Sequence, residues 1–104
     1  MREICLVHLD KTRPAVVLTR PAARAAMTKV TIAPITSTIR GLSSEVRVGR
    51  ENGLDHDGAV ALDNVTTIPV ERLGRTIGYL TAAQERDLAR AVVRAYDLDL
   101  PLLR

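Results

Sequence analysis

The side chains best suited to chemistry in this chain fall into two short groups. Arg13 and Pro14 open the apolar run 15–18, and Thr36, Ser37 and Thr38 close a second run that begins at Val30. The Arg13 guanidinium stays charged at working pH and presents a planar fork of N–H donors that matches phosphate oxygens. Pro14 fixes its own φ and biases Arg13 towards an extended backbone. The three hydroxyls add short donors that can meet the same anion. Arg ahead of a strand is more often a solvated flank than a site, so the pattern needs support from elsewhere in the chain.

Other chemistry is sparse. Asp55-His56-Asp57 could supply metal ligands, but His8 is the only other histidine and Cys5 the only cysteine. The triplet therefore reads as a solvated turn, and neither a metal nor another cofactor is expected. His8 sits in a strand-like segment, where a hydrogen-bonded surface imidazole is the ordinary state and proton transfer the secondary one. There is no nucleophile elbow, phosphate-cradling glycine loop or Cys/His pair. Asp63-Asn64 places a carboxylate and an amide at the end of a short apolar run, as a turn pair or as part of a rim. Arg40-Gly41 follows the hydroxyl group and offers a second phosphate cation or simply begins a loop.

The elements that must position these groups are mostly strands. Apolar runs at 4–9, 15–19, 30–35, 59–62 and 65–70, with strict alternation at 45–48, predict six short strands, the first two joined as a tight hairpin. Pro34 argues against a central place in a sheet at that point. Residues 20–28 are rich in Ala and Arg and read as a loop or short helical turn. Residues 49–58 hold three glycines, Asn52 and two aspartates, a turn-rich connection. Thr81-Ala-Ala-Gln84 has the spacing of a capping box, and Leu88, Ala91, Val92 and Ala95 recur on one face, predicting an amphipathic helix over 82–96. Arg86, Arg90 and Arg94 mark another face. The expected class is α+β, mainly β: a small antiparallel barrel with a C-terminal amphipathic helix, one domain over 1–104.

The bulk numbers narrow the function classes. At 104 residues the chain has room for one core. It has no Phe or Trp, and Tyr79 and Tyr96 are its only aromatic side chains. A core of Val, Ile, Leu and Ala follows, and nucleic-acid binding by stacking on aromatic platforms is largely excluded. The net charge of +3 fits a polyanionic partner. Its placement says more: Arg2, Lys11, Arg13, Arg20, Arg24 and Lys29 face only Glu3 and Asp10 in residues 1–30. Cys5 lies in an apolar run and is expected to be a small buried core residue, with no disulfide. The N-terminus lacks a signal-peptide pattern, and the longest uncharged run, 30–39, is too short to span a bilayer, so a soluble cytoplasmic protein with no membrane partner is expected.

In order along the chain, Arg13-Pro14-Ala-Val-Val-Leu, Val30-Thr-Ile-Ala-Pro-Ile-Thr36-Ser-Thr38, Ala61-Leu-Asp63-Asn64-Val-Thr-Thr-Ile68 and the segment from Leu73-Gly-Arg75 to Leu80 resemble the MazF/PemK family of toxin endoribonucleases. The resemblance runs over roughly residues 3–98 and looks most like the actinobacterial members. It implies an SH3-like barrel, a homodimer, metal-independent cleavage of single-stranded RNA and neutralisation by a cognate antitoxin. It further implies that Arg13 and Thr36 are the principal catalytic pair, with Asp63 at an acidic position given a base role in some members. Lys11, Ser37, Thr38, Arg40 and Asn64 are then the candidate RNA contacts.

The chain departs from the family pattern in two places. The first loop is short, with only Lys11 and Thr12 between Asp10 and Arg13, so the Gly-x-Glu-Gln element carrying the usual general base is missing. Ala61 stands where some members have an Arg. The base is left open among Asp63, His8 and the substrate phosphate. The alternative from another class is a non-catalytic barrel toxin that binds a protein target such as a topoisomerase.

Overall fold

The computed structural model describes residues 1–99, so the last part of the expected 1–104 domain lies outside the described residues. The elements are β1 (Glu3–His8), β2 (Thr12–Val17), α1 (Pro21–Arg24), β3 (Lys29–Thr36), β4 (Glu45–Val48), β5 (Gly58–Ala61), β6 (Thr66–Pro69), β7 (Leu73–Tyr79) and α2 (Ala82–Ala95). All pairings are antiparallel, in the order β4-β5-β3-β2-β1-β7, with β6 added to β3. The architecture is the expected one, a mainly-β curled antiparallel sheet with a C-terminal helix against it.

Period-two alternation buries the β1–β2–β3 sheet on both faces, which is why its strands read as continuous apolar runs. Ile4, Val16 and Ala33 belong to the larger core, with Val46, Val60, Leu62, Leu80 and Leu88. Cys5, Val7, Ala15, Val17 and Ile32 point the other way, into a second cluster completed by Val30 and Ile68. Both tyrosines stay outside, about half exposed, so neither core contains an aromatic ring. Cys5 is buried as expected, and burial pushes its thiol pKa up, against a smaller lowering by the Thr76 hydrogen bond.

Several boundaries differ from the sequence expectation. β2 starts at Thr12 rather than at residue 15, so Arg13 and Pro14 lie within the strand. β1 supplies the reason, pairing with β2 back to His8 and Thr12 and leaving only residues 9–11 for the turn. Leu73–Tyr79, with no element expected for it, pairs with β1 and ends the sheet. β3 is central despite Pro34. β6 pairs with Lys29–Ile32 and β5 with Ile35 and Thr36, so the missing N–H of Pro34 falls in the gap between two neighbours on the same side.

The capping box of α2 forms as its spacing predicts: Gln84 N donates to Thr81 Oγ1 at 3.1 Å, and Thr81 N to Gln84 Oε1 at 2.9 Å. Gln84 also does something that spacing does not reveal. Its amide faces the fully buried Asn52 amide, giving Asn52 Nδ2 to Gln84 Oε1 at 2.6 Å and Gln84 Nε2 to Asn52 Oδ1 at 3.0 Å. Asn52 Nδ2 further donates to Tyr79 O, and Gly49 N donates to Asn52 Oδ1. Helix start, end of β7 and the turn after β4 are thereby joined in one satisfied buried network. Next to it the chain backbones touch: a Cβ on Gly53 would collide with Ile77 O, and one on Gly78 with Asn52 O. Gly53 also has φ of 85°, a conformation that favours glycine.

Candidate active site

The last rung between β2 and β3 joins Ala15 to Pro34. Two residues beyond it on each strand stand Arg13 and Thr36, which alternation assigns to the face of that rung. Both border one cavity of about 470 Å³, together with Thr12 and Ser37 from the same strand ends, Leu6 of β1, Arg75 and Ile77 of β7, and the 53–58 segment. Pro14, which lacks an N–H, precedes the first rung to β3, so the strands separate there without an unmet donor.

Thr36 is half-buried at the end of its strand, and its Oγ1 accepts a hydrogen bond from Thr38 N at 3.1 Å. That bond uses a lone pair and leaves the hydroxyl proton to donate. Gly58 backs directly onto this residue, since a Cβ there would stand 2.8 Å from Thr36 O. The absence of a side chain lets the 53–58 segment close against the strand end. Arg13 and Arg75 are both exposed, and among the described residues neither has a carboxylate ion-pair partner. The cavity thus holds two free guanidinium groups and a row of hydroxyl donors, an arrangement suited to a phosphodiester.

The other sequence candidates are spread more widely. Ser37 lines the cavity with Arg13 and Thr36. Lys11 is in the hairpin turn, where its N–H meets Asp10 Oδ1 at 2.9 Å, and it is exposed beyond the cavity wall. Thr38 and Arg40 lie past the end of β3, where Glu45 Oε1 gathers the N–H groups of Arg40, Gly41 and Leu42. Asp63 and Asn64 occupy the Leu62–Asn64 turn, outside the cavity, and Asp63 Oδ2 accepts from Ser44 Oγ at 2.5 Å. His8 shares a 3.1 Å hydrogen bond with Thr12 Oγ1 but does not itself line the cavity. Asp55, His56 and Asp57 are exposed, as a solvated turn would be, yet they form a wall of the cavity that holds Arg13. Sequence reasoning missed that wall and Arg75. The only sequence signal for them is the glycine pair Gly53 and Gly78, whose mutual contact appears only in three dimensions.

Comparison with known proteins identifies the family and the fold. Residues 2–96 match the model of the PemK-like, MazF-like toxins of type II toxin-antitoxin systems. The chain belongs to this family. It is 54% identical over 99 residues to Endoribonuclease MazF3 of Mycobacterium tuberculosis, covering 95% of this chain and 96% of that one. Its fold superposes on the Mycobacterium tuberculosis toxin MazF-mt6 with a TM-score of 0.92 at 52% identity, covering 95% of this chain and all of the other. A mycobacterial endoribonuclease solved with its cognate antitoxin shares the fold, with a TM-score of 0.85 at 24% identity over 95% of each chain. Among the described residues, no helix of this family member is long and apolar enough to cross a membrane.

Proposed function

We propose that this chain is the toxin of a type II toxin-antitoxin system and acts as an endoribonuclease on single-stranded RNA in the cytoplasm, inhibiting translation and growth. The whole chain works as one toxin domain, paired in a homodimer and held in check by a cognate antitoxin. The observation that carries this reading is the meeting of Arg13, Thr36 and Ser37 at one cavity in a member of the PemK/MazF-like family.

The reaction is attack of a ribose 2′-oxygen on the adjacent phosphorus. A 2′-O–P bond forms and the P–O5′ bond breaks. The 2′-hydroxyl proton passes by way of a non-bridging phosphate oxygen to the departing 5′-oxygen. Negative charge builds on the non-bridging oxygens as the phosphorus becomes five-coordinate, so donors fixed beside it stabilise the transition state more than the ground state. Arg13 supplies the charged fork and Thr36 the hydroxyl proton left free by its Thr38 hydrogen bond. Asp63 is occupied by Ser44 outside the cavity, which favours the phosphate itself as proton acceptor in a single chain. No step calls for a metal ion.

The test is an RNA carrying one 2′-deoxy nucleotide immediately 5′ of the scissile bond. Cleavage of the all-ribose RNA should persist in EDTA and leave a 2′,3′-cyclic phosphate and a 5′-hydroxyl, while the deoxy substrate should stay intact. Cutting of the deoxy substrate would require a water or protein nucleophile. Failure to cut any RNA would favour a non-catalytic toxin that binds a protein such as a topoisomerase.

A further inference from the structure

We infer that residues 53–57 form a base-reading wall of the cleavage cavity, in which Asp55 accepts a hydrogen bond from the exocyclic amine of a nucleobase beside the scissile phosphate. The inference rests on the endoribonuclease reading above.

Position comes first. Asp55 and His56 border the same cavity as Arg13 and Thr36, and its volume of about 470 Å³ suits a piece of single strand. The sign of the charge then decides what Asp55 can face. A carboxylate repels phosphate oxygens, while Arg13 and Arg75 in the same cavity attract them. A bound strand therefore turns its phosphate to the arginines and leaves its bases for the acidic wall. An ionised carboxylate only accepts hydrogen bonds, so it favours the amine edge of cytosine, adenine or guanine. Uracil offers one ring N–H flanked by two carbonyl oxygens, a poor match for a carboxylate.

The wall is preformed. Asn52 anchors its start through the buried network with Gln84 and Tyr79. Gly53 is pressed against the β7 backbone, and Gly58 against Thr36 at the other end. Between them, Arg50 Nε donates to Asp55 O at 3.2 Å, holding the backbone of the reading residue itself. The Asp55 side chain has no ion-pair partner among the described residues. Asp57 is a weaker reader, because its carboxylate lies over Gly49, where a Cβ would come within 2.7 Å of Asp57 Oδ1. An acceptor carried on a held backbone has less freedom to lose on binding than one on a loose loop, which is what discrimination between bases needs.

The experiment uses the full chain and a set of short RNAs that differ only in the bases flanking the cut. At one flanking position the wild-type chain should favour amine-bearing bases over uracil by about tenfold or more in kcat/KM. Asp55→Ala should bring that ratio close to unity. Asp55→Asn, whose amide donates as well as accepts, should raise uracil relative to the others. An unchanged ratio in both variants overturns the inference, as does a wild-type chain that cuts without flanking preference. Equal loss of cleavage on every RNA also overturns it, since Asp55 would then serve the reaction and not the choice of base. A wild-type chain that cuts no RNA at all defeats the endoribonuclease reading instead, so the two failures are distinguishable.

Discussion

At the scale of single residues, Arg13 and Thr36 carry separable loads. Arg13 is exposed and contributes nothing to either apolar cluster, so Arg13→Ala should leave the fold intact. Cleavage should fall by about 3 kcal/mol of transition-state stabilisation, roughly a hundredfold in rate. Arg13→Lys keeps the charge but loses the planar fork, and an intermediate rate is expected. Single-turnover cleavage of a short RNA, with circular dichroism as a fold control, checks both variants; near wild-type rate for Arg13→Ala would remove the arginine from the reaction. Thr36 differs because its oxygen is already committed to Thr38 N. Thr36→Ala removes the donor to phosphate and frees a backbone N–H, and kcat should drop by about tenfold or more with a smaller change in KM. Thr36→Ser, which keeps the hydroxyl, should recover most of the rate. If Ser and Ala behaved alike, the methyl group and strand packing would be the important parts of Thr36.

At the scale of elements, the turn after β4 is the part on which the site's shape depends. Asn52 is fully buried and satisfies Gly49 N, Tyr79 O and the Gln84 amide at once. Asn52→Ala would strand these partners and should cost about 3 kcal/mol in urea unfolding, because buried groups that lose their partners bear the full desolvation penalty. A change within experimental error would mean that water replaces the amide. Which of these features the sequence disclosed follows from how local each one is. The α2 capping box depends on residues three apart, and it was legible to the residue. Five strands were legible as apolar runs and β4 by its alternation, although β2 gained three residues from pairing with β1, and β7, which β1 recruits to the sheet edge, was not legible. The place of Pro34 was misread because its tolerance depends on which neighbour ends at Ile32 and which begins at Ile35. Arg13, Thr36 and Ser37 could be assigned to one end of the sheet, whereas Arg75 and the 53–58 wall could not. Their approach is set by two glycines distant in sequence and by a glutamine whose cap spacing conceals its second set of bonds.

For the whole molecule, the distribution of charge and of exposed apolar surface bears on its partners. The net charge is +3, and the excess in residues 1–30 includes Arg13 at the cavity. Met1, Leu42, Tyr79 and Tyr96 remain at least 46% exposed, surface that a symmetric pairing could cover. Sedimentation at micromolar concentration should therefore show a dimer, and a monomer alone would count against the pairing. The antitoxin must oppose the same positive field. A neutralising segment rich in Asp and Glu can occupy the cavity mouth and compete directly with RNA phosphates for Arg13 and Arg75. Such competition is electrostatic, so added salt should weaken both ligands. Purified complex should cut RNA far more slowly than free toxin, and Arg13→Ala should bind the acidic segment less tightly in calorimetry. A complex that still cuts RNA at the free-toxin rate would place the antitoxin on another face and separate neutralisation from the cleavage cavity.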